Sequence, residues 1–369
     1  MNTEEFNISA KNKRVLVAPL AWGLGHTTRC IPLIKELQKS GCEVIIAANT
    51  TSKSLLQQEF KEIVFIDTPD FEIKYSKSKY WFVLILLLQV PKIIRSIIKE
   101  HSWLKKTVAD YHINLIISDN RYGLFHATVP AVFITHQLAI KTGNFLTDWM
   151  VKKINYYFIN RYKYCWVPDF EGTTNLAGDL SHPEKRPPNV VYLGALSRFE
   201  KKAEVEKGIS LLIICTGPEP QRTIFEKLLL SQLSVYKGSV VFVRGIPGAA
   251  EALINKQSNI KITNHLSASE LNTAIQQADI VISRTGYTTV MDLVKLQQKA
   301  ILIPTPGQTE QEYLAKHLME QQLFYCMPQH EFDLTEALKQ SATGFNKIAS
   351  FDMDRYKTVI QQLVQSLST

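Results

Sequence analysis

The sequence predicts an α/β fold made of two doubly wound parallel domains. Short apolar runs alternate with helical segments, an order typical of buried parallel strands joined by helices. This order begins near Arg14 and begins again near Ile209, after a charged stretch without aliphatic blocks at residues 197–207. A chain of 369 residues also exceeds the usual size of one hydrophobic core. The expected parts are an N-terminal domain at 1–197, a C-terminal domain at 198–350, and a closing helix at 351–369 that packs back on the N-terminal domain.

The first half predicts seven strands joined mostly by helices. Gly41 is the expected C-cap of the first helix, and Pro91 is expected to break a long helical region. A stretch at 178–189 with three prolines reads as a loop. The predicted strands lie at residues 14–18, 43–48, 63–66, 113–118, 131–135, 165–167 and 190–193, and the helical segments at 27–39, 52–60, 79–110 and 145–164.

The second half repeats this pattern. The last predicted helix, at 353–367, carries apolar residues at helical spacing and therefore needs a groove in which to bury them. The N-terminal domain is the expected host for that helix. The predicted strands of the second half lie at residues 209–215, 239–244, 260–263, 280–282 and 301–303, with one helix ending near Leu233 and another at 267–277.

Composition indicates a globular protein of a reducing compartment. Hydrophobic residues make up 45% and charged residues 21% of the chain. Its five cysteines are scattered without a C-x-x-C pair, which favours free thiols over disulfides or a metal site. The first residues lack the basic-then-apolar order of a signal peptide, and the longest apolar run, 80–90, is too short to span a bilayer. We therefore expect a cytoplasmic protein.

The positive charge is concentrated in one segment. The formal net charge is +8, and residues 73–106 contain eight basic residues against the single acid Glu100. Evenly spread bases would have suggested nucleic acid, whereas a basic segment beside Trp81, Phe82 and Leu84 favours an anionic membrane surface. A solvated basic helix whose apolar side packs on the core is the alternative. The stretch at 145–164 is basic and amphipathic too.

A glycine-rich loop follows the first strand. Gly23 and Gly25 allow the backbone a tight turn and a close approach to a ligand, and the helix that contains Arg29 begins just after them. Thr28 stands where the dinucleotide fingerprint requires its third glycine, so that motif is absent. The helix dipole is expected to lower the pKa of His26 and keep its imidazole neutral, as a general base requires. Bracing of the loop is the alternative role for His26.

Two further loops follow buried strands of the first half. Asp119 comes at the end of one strand and either orients His26 or takes the proton itself; capping a turn is its structural alternative. Arg121 lies in the same turn. His136 and Gln137 follow the next strand and are candidates for contacts to an acceptor. All of these loops are expected at the same edge of one sheet.

The second half presents polar turns after its buried strands. Ser283, Arg284, Gly286 and Thr288 follow one strand, and Gln308 and Gln311 follow its neighbour. Helix N-termini there offer free N–H groups, so the pattern predicts a pocket for an anionic, hydroxyl-rich ligand such as a sugar nucleotide. Further phosphate contacts are expected from residues Thr216, Gly217, Gln221 and Arg222. The D-x-D pattern at 352–354 is expected to open a helix rather than to bind metal.

Two motifs carry a resemblance to a known family. Gly23-Leu24-Gly25-His26 resembles the glycine-rich loop ending in histidine of the peptidoglycan lipid-intermediate N-acetylglucosaminyltransferases, a branch of glycosyltransferase family 28. Residues 283–292 match the family's S-R-x-G-x-x-T-x-x-E, with aspartate in the last position. The resemblance implies the GT-B arrangement, in which two Rossmann-like domains face each other across a cleft. The motif of the second half is the more specific of the two.

The resemblance also implies roles for single residues. Asp292 would accept hydrogen bonds from the ribose diol, and a shorter carboxylate than the family's glutamate must then reach further. Gln311 and Glu312, with Gln308 beside them, would contact the donor sugar. His265 and Leu266 would contact the nucleobase through their backbone. The diphosphate turn, 216–221, reads T-G-P-E-P-Q and departs from the family's glycine- and serine-rich turn.

The implied activity is transfer of a hexose or N-acetylhexosamine from a nucleoside-diphosphate sugar, with UDP expected, to a lipid-linked or envelope glycan acceptor. The family's chemistry is direct displacement with inversion, without metal or cofactor. The protein would work at the inner face of the membrane as a peripheral enzyme. Two alternatives stay open, namely a non-hydrolysing nucleotide-sugar epimerase and a catalytically silent protein that binds sugar nucleotides or glycans.

Overall fold

The computed structural model describes residues 13–20, 24–69, 82–246, 257–342, 344–345 and 351–367, with the side chains of 82–90 outside this description. The chain divides into two compact units. Unit 1 comprises Met1–Glu171, Asp179–Arg198 and Asp352–Thr369, and unit 2 comprises Gly172–Gly178 and Phe199–Phe351. Each unit contains one parallel sheet, which confirms the predicted α/β class.

Unit 1 contains a seven-stranded sheet, numbered by strand order along the chain as β3-β2-β1-β4-β5-β6-β7. Its strands are almost entirely apolar because helices cover both faces of a parallel sheet. The strands are β1 Arg14–Ala18, β2 Glu43–Ala48, β3 Val64–Asp67, β4 Leu115–Asp119, β5 Ala131–Ile134, β6 Tyr164–Val167 and β7 Val190–Tyr192. The helices are α1 Leu24–Lys39, α2 Thr50–Glu59, α3 Phe82–Tyr111, α4 Phe145–Ile159 and, at the end of the chain, α10 Arg355–Ser366.

The strand order of unit 1 reverses direction between β1 and β4. β1 pairs with β2 on one side and with β4 on the other, and Ala18 at the end of β1 lies opposite Ser118. Such a switch point leaves a crevice at the carboxyl ends of the strands, where ligands of doubly wound folds bind. The loops after β1 and β4 therefore lie at the crevice where a ligand of this sheet would bind.

Unit 2 contains a six-stranded sheet in the order β10-β9-β8-β11-β12-β13, with its switch point between β8 and β11. Ser283 pairs with Ile214 of β8, and Arg284 pairs with Ile303 of β12. The strands are β8 Ile209–Ile214, β9 Val240–Val243, β10 Ile260–Thr263, β11 Ala278–Arg284, β12 Ala300–Ile303 and β13 Tyr325–Cys326. The helices are α5 Gln221–Leu233, α6 Ala268–Gln277, α7 Tyr287–Leu296, α8 Thr309–Glu320 and α9 Leu334–Ser341.

Several predicted boundaries were wrong. α3 runs through Pro91 without a break over 30 residues, because a proline removes one helical hydrogen bond and so long a helix retains the others. α1 begins at Leu24 rather than near residue 27, so that Gly25 and His26 lie in its first turn. The third strand lies one residue later than predicted and β11 begins two residues earlier.

The last helix, α10, is shorter than predicted and packs within unit 1. Ile360 is fully buried, and the Gln361 side chain donates a hydrogen bond of 3.0 Å to Glu36 on α1. All five cysteines are buried and free. No helix in the described part of the chain is both long enough and apolar enough to cross a bilayer.

Candidate functional site

A buried ion pair lies at the switch point of unit 1. Asp119 ends β4 and has no exposed surface. Arg29, on α1, donates from Nε to Asp119 Oδ2 at 2.9 Å and from Nη2 to Asp119 Oδ1, so the contact is bidentate. Burial opposes ionisation of this carboxyl, but the Arg29 guanidinium and the His26 ring lower its pKa to about 2. Asp119 is therefore a fixed negative charge and a poor proton acceptor at neutral pH.

His26 lies against this pair. Its Nδ1 is 3.2 Å from Asp119 Oδ2 and 2.9 Å from Arg29 Nη2. Burial, followed by the Arg29 charge, holds the pKa of His26 below its ordinary value. Arginine only donates, so Nδ1 accepts from Arg29 in one tautomer of the neutral ring. In the other tautomer Nδ1–H donates to Asp119, and Nε2 keeps its lone pair and can accept a proton. This arrangement has the elements of a general base with an orienting carboxylate.

Two residues after β5 extend the cluster. His136 is 7% exposed, and its Nδ1 is 3.3 Å from Arg29 Nη1. The Gln137 side-chain nitrogen is 3.5 Å from His136 Nε2. Thus Arg29 connects His26 on α1, Asp119 at the end of β4 and His136 after β5. The sequence predicted each of these residues at this edge, but it did not reveal Arg29 as the group that links them.

Arg121 and Gly25, the other candidates of the first half that the structure describes, lie outside the Arg29 cluster. Arg121 is 3% exposed, and its Nε donates to Glu100 Oε1 at 3.0 Å. Glu100 also accepts the N–H of Gly123, so this pair fastens α3 to the turn after β4. Arg121 is thereby a structural brace rather than a contact exposed for an acceptor. The backbone of Gly25 accepts a bond from the Thr28 hydroxyl at 3.2 Å, and Gly23 lies outside the described residues.

In unit 2, three helices begin at the carboxyl ends of the central strands without a side-chain cap. α5, α7 and α8 begin after Pro220, Gly286 and Gln308, and none of these residues caps its helix through a side chain. By contrast, α6 has a complete capping box and α9 is capped by Asp333. The positive end of each of these helix dipoles lies at this edge. In α5 the Thr223 N–H is bonded to the exposed carboxylate of Glu219 at 3.2 Å. This edge is therefore suited to an anionic ligand such as a diphosphate.

Buried polar atoms without partners lie at the same edge. Among the described residues, no hydrogen-bond partner is present for the hydroxyls of Thr285 and Thr305 or for Oε1 of Gln221. These residues follow β11, follow β12 and open α5, respectively. Buried polar atoms are nearly always hydrogen-bonded in folded proteins, so such a group indicates where a ligand's polar atoms fit. The sequence had placed both threonines at these two strand ends, in the polar turns of the predicted pocket.

Arg284 joins the loops of this edge. It is 1% exposed, and its guanidinium lies 3.9 Å from the centre of the Phe225 ring. Its Nη2 donates to the Gln221 carbonyl at 3.1 Å and to Gln329 Oε1 at 2.6 Å, and its Nη1 donates to a carbonyl after β12. Burial lowers the pKa of Arg284 to about 10. Its role is to hold α5 and the loop after β12 in place, so contact with a donor stays a prediction.

The loop that opens α8 is ordered by its own glutamine and glutamate side chains. Gln311 Oε1 accepts the Thr305 N–H at 2.9 Å, and Gln311 Nε2 donates to Gln308 Oε1 at 2.6 Å. Glu312 Oε1 accepts the Gly307 N–H at 2.9 Å. The three residues predicted to contact the donor sugar thus lie at the start of α8, next to the unpartnered Thr305 hydroxyl.

A buried network lies behind the diphosphate turn. Arg222 donates to Glu219 at 2.5 Å and to Glu226 at 2.8 Å, and Arg244 donates to both oxygens of Glu226 at 2.9 Å. Arg244 also donates to Asn264 at 3.0 Å. Although burial opposes ionisation, the two arginines hold the pKa of Glu226 below its ordinary value. Arg222 is therefore engaged within the protein, and Glu226 links the diphosphate turn to the loop after β10.

Sequence reasoning missed Glu226 and Arg244. The spacing of four residues between Arg222 and Glu226 on a helix was a visible signal for their pairing, but nothing local indicated Arg244. The remaining donor candidates occupy the same side of unit 2. Thr288 and Asp292 are half-buried on α7, and Gly217 is exposed with φ +114°. His265 is exposed, and its carbonyl accepts the Thr263 hydroxyl at 3.1 Å, while Leu266, beside it, is half-buried.

The sequence of this chain is similar to one protein family and to several glycosyltransferases. The family described as glycosyltransferase family 28 C-terminal domain matches residues 245–362. A relative from Rickettsia canadensis is 25% identical over 337 residues, which cover 83% of each chain. It is named UDP-N-acetylglucosamine--N-acetylmuramyl-(pentapeptide) pyrophosphoryl-undecaprenol N-acetylglucosamine transferase. A protein of the same name from Natranaerobius thermophilus is 26% identical over 171 residues, 43% of this chain and 47% of that one.

Solved structures share the fold. The spinosyn rhamnosyltransferase SpnG superposes with a TM-score of 0.67 at 15% identity, over 96% of this chain and 100% of that chain. MurG of Acinetobacter baumannii superposes with a TM-score of 0.60 at 14% identity, over 96% of this chain and 99% of that chain. Together, the family match, the relatives and the shared fold confirm the resemblance inferred from the sequence. Residues 245–362 therefore resemble the glycosyltransferase family 28 C-terminal domain, and the chain has the two-sheet fold of the GT-B glycosyltransferases.

Proposed function

We propose that this protein is an inverting glycosyltransferase that moves a hexose or N-acetylhexosamine from a UDP-sugar to a lipid-linked acceptor. The observation that carries the proposal is the His26 ring, whose Nδ1 lies 3.2 Å from the ionised, buried Asp119. The proposal takes the tautomer in which Nδ1–H donates to this carboxylate. Support for the donor and acceptor comes from the relatives, whose printed name specifies a UDP-sugar and an undecaprenol-linked substrate. The uncapped helix ends of unit 2 fit the charge of such a donor.

On the acceptor side, His26 Nε2 takes the proton of the acceptor hydroxyl as that oxygen bonds to the anomeric carbon. The bond between the anomeric carbon and the diphosphate oxygen breaks, and its electron pair leaves with the nucleotide, so the configuration inverts. The imidazolium that forms lies beside the Asp119 carboxylate, which stabilises it. Because the pKa of Asp119 is about 2, we assign His26 and not Asp119 as the base.

On the donor side, the N-termini of α5, α7 and α8 stabilise the charge that develops on the departing diphosphate. Preorganised N–H groups at a helix end need little rearrangement when charge develops, which is the condition for strong electrostatic catalysis. The hydroxyls of Thr285 and Thr305 are available as further donors. Since these groups already offset the leaving-group charge, we propose that transfer needs no divalent metal.

We also propose that α3 and α4 dock unit 1 on an anionic membrane. Six large apolar side chains of α4 are exposed, and Ile94 and Ile98 of α3 are exposed as well. Lys152 and Lys153 lie on α4 beside its apolar side chains and have no carboxylate partner within the described residues. Exposed apolar residues flanked by cations are typical of interfacial helices. The apolar α4 residues are Phe145, Leu146, Trp149, Met150, Ile154 and Tyr157. The bases predicted at residues 74–79 lie outside the described part of the chain.

One experiment tests the proposed reaction. Purified protein is incubated with envelope lipid extract and a panel of nucleotide sugars, and the products are identified by mass spectrometry. A glycosylated lipid that requires one nucleotide sugar, and that is lost in His26→Ala, supports the proposal. Interconversion of nucleotide sugars without acceptor would instead identify an epimerase, and donor binding without turnover would identify a binding protein.

A further inference from the structure

A basic cleft lies at the edge of the unit 1 sheet opposite to His26. Residues 126–131 and 161–163 line it, and its volume is about 370 Å³. The first set leads into the start of β5 and the second into the start of β6, whereas Asp119 lies at the far end of β4. The cleft is therefore separate from the proposed catalytic edge of the same sheet.

The lining of this cleft is positively charged. His126, Arg161 and Lys163 line it, and none of its nine lining residues is acidic. Within the described residues, neither Arg161 nor Lys163 pairs with a carboxylate; both lie instead over aromatic rings. Basic side chains at a protein surface usually lie near acidic ones. A cleft whose basic side chains have no carboxylate partner therefore favours an anionic ligand.

The histidine of the cleft is held as a hydrogen-bond donor. Its Nδ1 accepts the backbone N–H groups of Thr128 and Val129 at 3.3 and 3.1 Å. The proton of the neutral ring must then sit on Nε2, which is a donor. Burial, and then the nearby His101 and Lys105 of α3, lower the pKa of His126, which indicates a positive environment.

Arg161 connects the cleft with the apolar side chains of α4. Its guanidinium carbon lies 4.6 Å from the centre of the Tyr157 ring and 4.8 Å from that of Phe125. Tyr157 is among the exposed side chains of α4, so the apolar stretch of the helix continues directly into the cleft. Arg161 Nη2 donates to the Tyr157 hydroxyl. Because an arginine has five N–H donors, the others stay available for a phosphate while the guanidinium lies over the rings.

We propose that this cleft binds the phosphate of an anionic phospholipid headgroup. The inference rests on the proposed docking of α3 and α4 and adds a defined headgroup site to it. A lipid fits better than a soluble phosphate compound because exposed apolar side chains of α4 adjoin the cleft and are suited to the acyl region. Arg161, Lys163 and the Nε2–H of His126 supply the donors.

The test measures binding of the full chain to vesicles of phosphatidylcholine with and without 20% phosphatidylglycerol, at 0.1 M salt. The variant Arg161→Ala/Lys163→Ala is compared with Lys227→Ala/Lys237→Ala, which removes two exposed cations of unit 2 and gives the same net charge. Each cation at an anionic surface contributes about fivefold to binding. We expect the cleft variant to bind the phosphatidylglycerol vesicles about 25-fold more weakly than wild type, and the control to bind like wild type.

The outcomes separate this site from the docking proposal. Equal vesicle binding by the cleft variant and the control overturns the headgroup site, while docking by α3 and α4 stands. Wild-type protein that ignores phosphatidylglycerol vesicles overturns both proposals. In a second experiment, binding of inorganic phosphate to wild type and to the cleft variant is measured by NMR. If the cleft variant loses phosphate binding but keeps vesicle binding, the site binds a soluble phosphate and the lipid assignment fails.

Discussion

At the scale of single residues, the cluster around Arg29 shows what a sequence can and cannot predict. His26, Asp119 and His136 could be placed at one edge because each follows a buried parallel strand, and such strands end together. The choice between His26 and Asp119 as base could not be made, because it depends on a contact across 90 residues between Arg29 and Asp119. That contact fixes the charge of Asp119.

Replacing His26 tests its assignment as the base. We expect His26→Ala to lower kcat by about 100- to 10,000-fold, the usual contribution of a general base, with little change in the KM for the donor. The matched control is His330→Ala, which removes an exposed histidine of unit 2. Steady-state kinetics and thermal unfolding are measured on both variants. A kcat for His26→Ala close to that of wild type would remove His26 from the mechanism.

The pH dependence of the rate tests the same residue. A base must be unprotonated, and the pKa of His26 lies below its ordinary value of about 6.5. The rate should therefore be flat above about pH 6.5 and fall as the pH decreases further. Asp119 raises the pKa of His26, so Asp119→Asn should move the acid limb to lower pH as well as reduce the maximal rate. An acid limb centred above pH 7 in wild type contradicts this assignment.

At the scale of secondary-structure elements, the uncapped helices define the proposed donor edge. Pro220 and Gly286 have no side-chain acceptor for a capping hydrogen bond, whereas Ser267 with Glu270 forms a capping box that the sequence pattern shows. The network of Glu226 could not be predicted, because α5 and the end of β9 meet only in the folded sheet. Local chemistry is visible in a sequence, and pairings between distant elements are not.

Capping α7 artificially tests the phosphate role of its N-terminus. Gly286 has extended backbone angles, and an added Cβ would lie 3.7 Å from the Thr289 hydroxyl, an ordinary contact. Gly286→Asp should therefore raise the free energy of unfolding by only about 0.3 kcal/mol, while lowering UDP affinity roughly tenfold through charge repulsion. Gly286→Asn is the neutral control. Calorimetric binding and urea unfolding measure both effects, and unchanged UDP affinity in the aspartate variant argues against this site.

Glu226 is expected to matter for both stability and donor binding. Glu226→Ala leaves the buried Arg222 and the half-buried Arg244 without their shared carboxylate. Breaking a fully buried pair costs about 3–5 kcal/mol, and we expect a smaller loss here because Arg244 is partly exposed and Arg222 keeps Glu219. Glu226→Gln keeps the shape and should cost less. Because Glu226 links the diphosphate turn with the loop after β10, the glutamine variant should raise the KM for the donor and leave kcat nearly unchanged. Equal losses in kcat and stability, without a KM effect, would point to a purely structural role.

At the scale of the whole molecule, the two-sheet plan follows from the alternation of strands and helices, whereas the exact division of the chain does not. Residues Gly172–Gly178 belong to unit 2 although their neighbours in sequence belong to unit 1. Leu176 and Ala177 are fully buried, and His317 Nε2 lies 3.0 Å from the Asn175 carbonyl. A peptide of this length has no hydrophobic periodicity from which its membership of unit 2 could be predicted.

The membrane proposal predicts a difference between acceptors. Trp149→Ala/Ile154→Ala should raise the KM for a lipid-linked acceptor in anionic vesicles by about tenfold, because two apolar side chains leave the interface. The same variant should act normally on a short-chain, water-soluble acceptor. Ile224→Ala/Val235→Ala removes two comparably exposed apolar side chains of unit 2 and should change neither value. Equal effects on both acceptors would argue against docking by α4.

The assignment of Gly172–Gly178 to unit 2 and of α10 to unit 1 also limits how the gene can be divided. The chain passes from one unit to the other at residues 171/172, 178/179, 198/199 and 351/352. A fragment that starts at residue 199 omits a buried peptide of its own unit, and a chimera joined at that single position combines mismatched parts. Transplanting donor specificity between relatives therefore requires exchange of both segments of unit 2 together, with the native α10 retained.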